Sequence, residues 1–153
     1  MSRKHRRRKT ADAITVRRRT EPGAPPGVVV ADPAQPKPAI SVIAYDATGL
    51  IDTQVAGPDE AHALVGKHSV TWINVEGLGD AKVIERFGEL FGLHRLALED
   101  TVNVHQRAKI ETYGEVLFIV LRTGQLTGKE IEYGETHLIV GKGFVVSIRH
   151  GAS

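Results

Sequence analysis

The sequence contains no cysteine. Disulfides and thiolate-held metals are therefore excluded, and any metal must be held by oxygen or imidazole nitrogen. Long hydrophobic runs are missing too. The most apolar stretch, "VLFIVL" from Val116 to Leu121, is six residues long, against the ~20 a helix needs to span a bilayer. No apolar segment follows the basic opening from Arg3 to Lys9, as a secretory signal would require. Aromatic residues make up only 5%. None lies in residues 1–39, so that region offers no stacking platform for single-stranded nucleic acid. There is no GxSxG, no Walker loop, and no serine or threonine placed beside an acid–base pair. The chain is accordingly not expected to be an enzyme.

What is present divides sharply by charge. Residues 1–39 hold ten Lys/Arg against three Asp/Glu, or +7, while residues 40–153 hold ten against fifteen, or −5. Six of the seven prolines also fall in the first 39 residues. Such a segment repels itself and cannot bury enough apolar area to offset its ordering entropy. The expected organisation is a disordered, basic, Pro-rich tail over residues 1–39 and one globular domain over residues 40–153. Anionic lipid headgroups are a partner suited to the tail. The acidic body argues against nucleic acid.

Within the body, "AISVIAYDATG" alternates like a strand and ends in a turn, and "LIDTQVAG" pairs back as a hairpin. Pro58, Asp59 and Glu60 open a helix that Gly66 closes. "SVTWINVEG" reads as a buried strand. "DAKVIERFGELFG" sets Val83, Ile84, Phe87, Leu90 and Phe91 on one helical face, with Asp80 as N-cap and Gly92 as terminator. "LHRLALEDTVN" is a further short helix ending at Asn103, "EVLFIVLRT" a strand, and the remainder two or three strands with a tight turn at Lys142-Gly143. The predicted order is two strands, a helix, a strand, two helices and three strands, the last three antiparallel. That pattern fits a mixed sheet covered by helices. Trp72, Phe87, Phe91, Phe118 and Phe144 are expected in the core.

Three groups invite a chemical reading. "VEGLGD" follows a strand and opens a helix, but Lys82 stands where a dinucleotide fingerprint needs its third glycine, so a glycine turn before an N-cap accounts for it. The seven histidines include no i, i+4 pair of the kind that clamps zinc on a helix, leaving convergence of His94, His105 and His137 as the open alternative. Glu99 and Asp100 are adjacent on a helix and so point about 100° apart. They read either as solvated carboxylates or as ligands of a hard divalent ion, since magnesium takes one or two carboxylates and keeps several waters. Arg107 is placed to fork onto Glu99 or Glu111 and hold the helix–strand corner.

The run "FGLHRLALEDTVNVHQRAKIETYGEVLFIVLR" closely resembles the cytosolic N-terminal domain of the CorA family of magnesium channels. The family pattern H-x-L-x-LED-x-x-N-x-x-QR-x-K-x-E-x-Y is matched by His94, Leu96, Leu98, Glu99, Asp100, Asn103, Gln106, Arg107, Lys109, Glu111 and Tyr113. "ETHLIVGKGFVVSIRHG" resembles the following strands. The resemblance implies an α/β fold, an α/β/α sandwich with a mixed, partly antiparallel sheet. It implies a place on the cytoplasmic side of a cell membrane within a homopentamer. It also implies a role in sensing intracellular Mg2+, with Asp100 and neighbouring Glu99 as metal ligands and the partner acid on a neighbouring subunit's stalk helix. Co2+, Ni2+ and Zn2+ are further ions the family brings into view, and the zinc-transporting ZntB branch shares the fold. The family's stalk helix, two membrane helices and Gly-Met-Asn pore signature are not among these 153 residues, so the expectation is either an excised soluble part of a longer protein or a truncated product.

Overall fold

A computed structural model describes residues 25–149, apart from 33, 104, 105 and 129. Two antiparallel blocks meet in one seven-stranded sheet. β1 (Ala39–Asp46) pairs with β2 (Gly49–Val55) on one side and with β3 (Val70–Glu76) on the other. β4 (Lys109–Tyr113), β5 (Val116–Thr127), β6 (Glu130–Gly141) and β7 (Phe144–Arg149) form a meander. The blocks join through the parallel pair β3–β7, giving the order β2-β1-β3-β7-β6-β5-β4. The expected mixed sheet and antiparallel final strands are therefore observed.

The helices are α1 (Pro58–His62), α2 (Ala81–Phe91) and α3 (Arg95–Val102). In α2 the Asp80 carboxylate accepts from the Lys82 N–H at 3.0 Å, and Gly92 ends the helix in the left-handed region at φ 70°. Both caps are those the sequence predicts. α1 is shorter than its glycine signal suggests. Beyond His62 the chain tightens into i→i−3 bonds, Leu64 to Ala61 and Val65 to His62, so the last turn is not α-helical.

Strand alternation sorts the sheet into two faces. Ile40, Val42, Ile73, Val75, Val146, Ile148, Ile139, Phe118 and Val120 point to one face, where Ile84, Phe87, Phe91, Ala97 and Leu98 of the helices meet them. Phe91 lies at the centre of that layer, 4.9 Å from the Phe144 ring and 5.8 Å from that of Phe87. A large apolar side chain fully removed from water here contributes about 1.5–3 kcal/mol.

Among the described residues no helix packs on the opposite face. Tyr45, Val70, Trp72, Leu138 and Val145 line a shallow groove of about 430 Å3 there. Trp72 is 45% exposed, and its indole N–H donates to Ser147 Oγ at 2.8 Å. The core position expected for Trp72 is corrected accordingly. It lies between the inward-facing Thr71 and Ile73, and alternation sends it outward.

Two further expectations change. Lys109–Tyr113 forms a strand of its own, which the sequence pattern does not set apart from its surroundings. Its alternating charges mask the strand signal, and it lies at the sheet edge, where charged side chains discourage pairing with other chains. Ordered packing also begins before the boundary expected at residue 39. Val29 is a core residue, and residues 35–37 cross over the turn after β3. A Cβ on Gly77 would stand 2.6 Å from the Pro36 carbonyl oxygen, and Gly79 donates its N–H to that oxygen at 2.9 Å. The glycines of "VEGLGD" are thus required by a crossing backbone, with no nucleotide needed to explain them.

Candidate cation site

α3 buries Ala97, Leu98, Thr101 and Val102 against the core. This i, i+1, i+4, i+5 spacing leaves Glu99 and Asp100 on the remaining surface, both half-buried. His94 caps the helix start, its Nδ1 accepting from the Leu96 N–H at 3.3 Å. The chain then turns back, and β4 passes beside the helix it has just left.

That return places alternate residues of β4 along α3. Lys109 Nζ donates to Asp100 Oδ2 at 2.6 Å and stands 2.9 Å from Glu111 Oε2. The Tyr113 hydroxyl donates to Glu111 Oε2 at 2.9 Å, and the Tyr113 ring lies flat against His94, with centroids 5.8 Å apart and planes 3° from parallel. One polar line therefore runs from the C-terminal end of α3 back to its N-cap. A cation near the last turn is also where the helix dipole favours positive charge.

The electrostatics follow from this line. Burial alone would lower the Lys109 pKa, but hydrogen bonds to Asp100 and then Glu111 outweigh it and hold the ammonium above its ordinary value. Lys109, and then the Tyr113 hydroxyl, hold the Glu111 carboxyl below the usual range. Burial first, and Glu111 second, raise the Tyr113 phenol.

Glu99 has a different engagement. Its Oε2 accepts the Gly27 backbone N–H at 2.8 Å, tying the segment before β1 onto α3. Arg107 is exposed, and neither Glu99 nor Glu111 is its partner. The corner it was expected to hold is held by Lys109, and by Gln106 donating to the Asn103 carbonyl at 3.1 Å. The spacing Lys-x-Glu-x-Tyr carried the signal for this arrangement. Read at period two, it puts all three side chains on one face of a strand.

Of the three candidate histidines, His94 and His137 do not meet. The rings of Tyr113 and Phe118 stand between His94 and His137, each stacked on one of them. His105 lies outside the described residues. Among the described residues no group of three or more His, Asp or Glu side chains is arranged to hold a metal. The donor set at Asp100 nevertheless suits a hard cation, because two carboxylate oxygens already converge on the Lys109 ammonium.

Comparison with known proteins bears on this stretch directly. The chain is 44% identical over 78 residues to the cobalt/magnesium transport protein CorA of Thermotoga maritima, an alignment covering 50% of this chain and 22% of that protein. The chain thus spans about a fifth of that relative. The fold is similar to that of the soluble domain of CorA from Methanocaldococcus jannaschii, with a TM-score of 0.52 and 11% identity, over 72% of this chain and 40% of that one. It is also similar to the complete CorA magnesium transporter of the same organism, with a TM-score of 0.53 and 7% identity, over 74% and 32%. A third likeness is to the full-length CmaX protein, with a TM-score of 0.53 and 16% identity, over 72% and 34%. At these identities the structural likenesses speak for the α/β fold. The family described as CorA-like Mg2+ transporter protein matches residues 67–153, more than half of the chain and all of the Asp100–Lys109 corner, and the chain belongs to that family.

Proposed function

We propose that this chain is the regulatory N-terminal part of a CorA-type divalent-cation channel, a non-enzymatic domain on the cytoplasmic face of the membrane that senses Mg2+. In this reading Asp100, with Glu99 beside it, contributes carboxylate oxygen to a hydrated Mg2+ that is shared with an acid of a neighbouring subunit in a pentamer. Hydrated magnesium needs only one or two protein carboxylates. No helix among the described residues is long and apolar enough to cross a membrane. Transport itself would reside in parts of the protein outside these residues.

The observation that supports this most is the half-exposed position of Asp100, at the outer end of α3 and beside the edge strand β4. A carboxylate there is reachable by a second subunit while its own helix is anchored in the core. The ion would act as a bias. Binding only the closed arrangement of subunits shifts its population by mass action, and identical interfaces multiply the effect. An ion with equal affinity for both arrangements would shift nothing.

The test is protection from proteolysis by Mg2+ in the full-length protein, with and without Asp100→Ala. Protection is expected in the parent and its loss in the variant. Equal protection in both would remove Asp100 from the sensor.

A further inference from the structure

The Lys109 ammonium stands between two carboxylates. It is 2.6 Å from Asp100 Oδ2 and 2.9 Å from Glu111 Oε2, and it lies 5.9 Å from the centre of the Phe118 ring, whose π face also favours positive charge. Being covalently attached, this cation cannot diffuse away.

We propose that Lys109 sets both the affinity and the valence preference of the Asp100 site, acting as a tethered monovalent cation that an incoming dication must displace. This rests on the reading of Asp100 as the ion-binding carboxylate. It adds a competitor to that site and explains what the competitor does.

The charge balance supports the role. Asp100 and Glu111 carry two negative charges and Lys109 cancels one of them. A solution Na+ or K+ replacing the ammonium would bring the same charge without the tether, so the high effective concentration of the attached group keeps monovalent ions out. Mg2+ brings twice the charge and neutralises both carboxylates. The exchange is physically open because Lys109, Asp100 and Glu111 are all only partly buried, and among the described residues no strand lies beyond β4. The flexible four-carbon stem can carry the ammonium out to water. Displacing it lowers the affinity for Mg2+, which places the site in a weak-binding range, as a sensor of abundant ion requires.

The experiment titrates Mg2+ into the full-length protein at constant ionic strength, following protection from proteolysis and the melting temperature in parallel. Wild type is compared with Lys109→Met, Lys109→Arg and Asp100→Asn. The methionine variant keeps the apolar stem and removes the competitor. Its Mg2+ affinity is expected to rise about three- to tenfold, the equivalent of a partly exposed ion pair, and Na+ is expected to compete where it did not before. The arginine variant keeps the charge and grips two carboxylates with a fork, so its Mg2+ affinity is expected to fall below wild type. If Lys109→Met does not fold, the arginine variant decides, and affinity equal to or above wild type overturns the proposal. Unchanged affinity and valence preference in Lys109→Met, with binding still lost in Asp100→Asn, would overturn the role of Lys109 and leave the site standing. Absence of any response in wild type and Lys109→Met alike would overturn both.

Discussion

The Glu99 side chain reaches across 72 positions of sequence to accept the backbone N–H of Gly27 at 2.8 Å. The two adjacent acids at the end of α3 are therefore unequal. Glu99 fastens the segment that leads into β1, and Asp100 faces Lys109. Gly27 suits this crossing because its φ is +84° and a Cβ would stand 2.8 Å from Arg95 Cβ.

Replacing Glu99 by Ala should free residues 25–38 without unfolding the sheet. The lost interaction is a partly buried hydrogen bond to a charged acceptor, so the expected cost is about 1–2 kcal/mol. Limited proteolysis should then cut in that segment early, while β1–β7 stay protected. An unchanged cleavage pattern would mean that Val29 in the core, and not Glu99, anchors the segment.

The contact between α2 and α3 supplies a second test. Gly88 is buried, and a Cβ added there would stand 3.0 Å from Leu98 Cγ, with both terminal methyl carbons closer still. In an exposed helix Gly→Ala gains about 1 kcal/mol. Here the clash should reverse the sign, so that Gly88→Ala costs about 1–3 kcal/mol. The Leu98→Ala variant should lose stability through its cavity and recover part of it when Gly88→Ala is added. Urea denaturation of the two single variants and the double variant measures this coupling, and strict additivity would argue against the contact.

Much of the fold is legible in the sequence because local signals agree with the final packing. Asp80 and Gly92 bracket α2 as caps, period-two alternation identifies β1, an apolar run identifies β3, and the Lys142-Gly143 turn sets off β7. The misreadings have physical causes. The apolar character of its strand points Trp72 to the core, yet alternation fixes a strand residue's face whatever its hydrophobicity. β4 gives no strand signal because Lys109, Glu111 and Tyr113 serve a polar line, so its inward positions carry no apolar pattern. Nothing local announces that Glu99 would find Gly27. The acid pair itself stood out, but its division of roles depends on what the fold brings alongside.

Trp72 makes the exposed sheet face measurable, since it is the only tryptophan. In the folded 153-residue chain its emission should be red-shifted and readily quenched by acrylamide. Trp72→Ser should cost much less than Phe118→Ala, which empties a fully buried site at about 3–5 kcal/mol. A blue-shifted, protected tryptophan would mean that another surface covers this face in solution.

The turn between β1 and β2 carries the last expectation. Asp46 Oδ1 accepts the Thr48 N–H at 2.7 Å and the Thr48 hydroxyl at 2.5 Å, while His68 Nδ1 stands 3.0 Å from Oδ2. The Thr48 hydroxyl and then its N–H, reinforced by His68, hold the Asp46 carboxyl well below the ordinary aspartate value of 3.8. Because the folded-state pKa is depressed, the native state binds fewer protons than the unfolded chain as pH falls through 3.8. The stabilisation from Asp46 is thus present in full above that value and lost progressively below it. Asp46→Asn keeps an acceptor for Thr48 but loses the charge, so it should be less stable than wild type at neutral pH. The gap between the two proteins should narrow as pH falls below 3.8. Urea midpoints of both proteins along the acid limb test this. A gap that stays constant with pH would mean that the hairpin depends on the shape of the side chain at residue 46 and not on its charge.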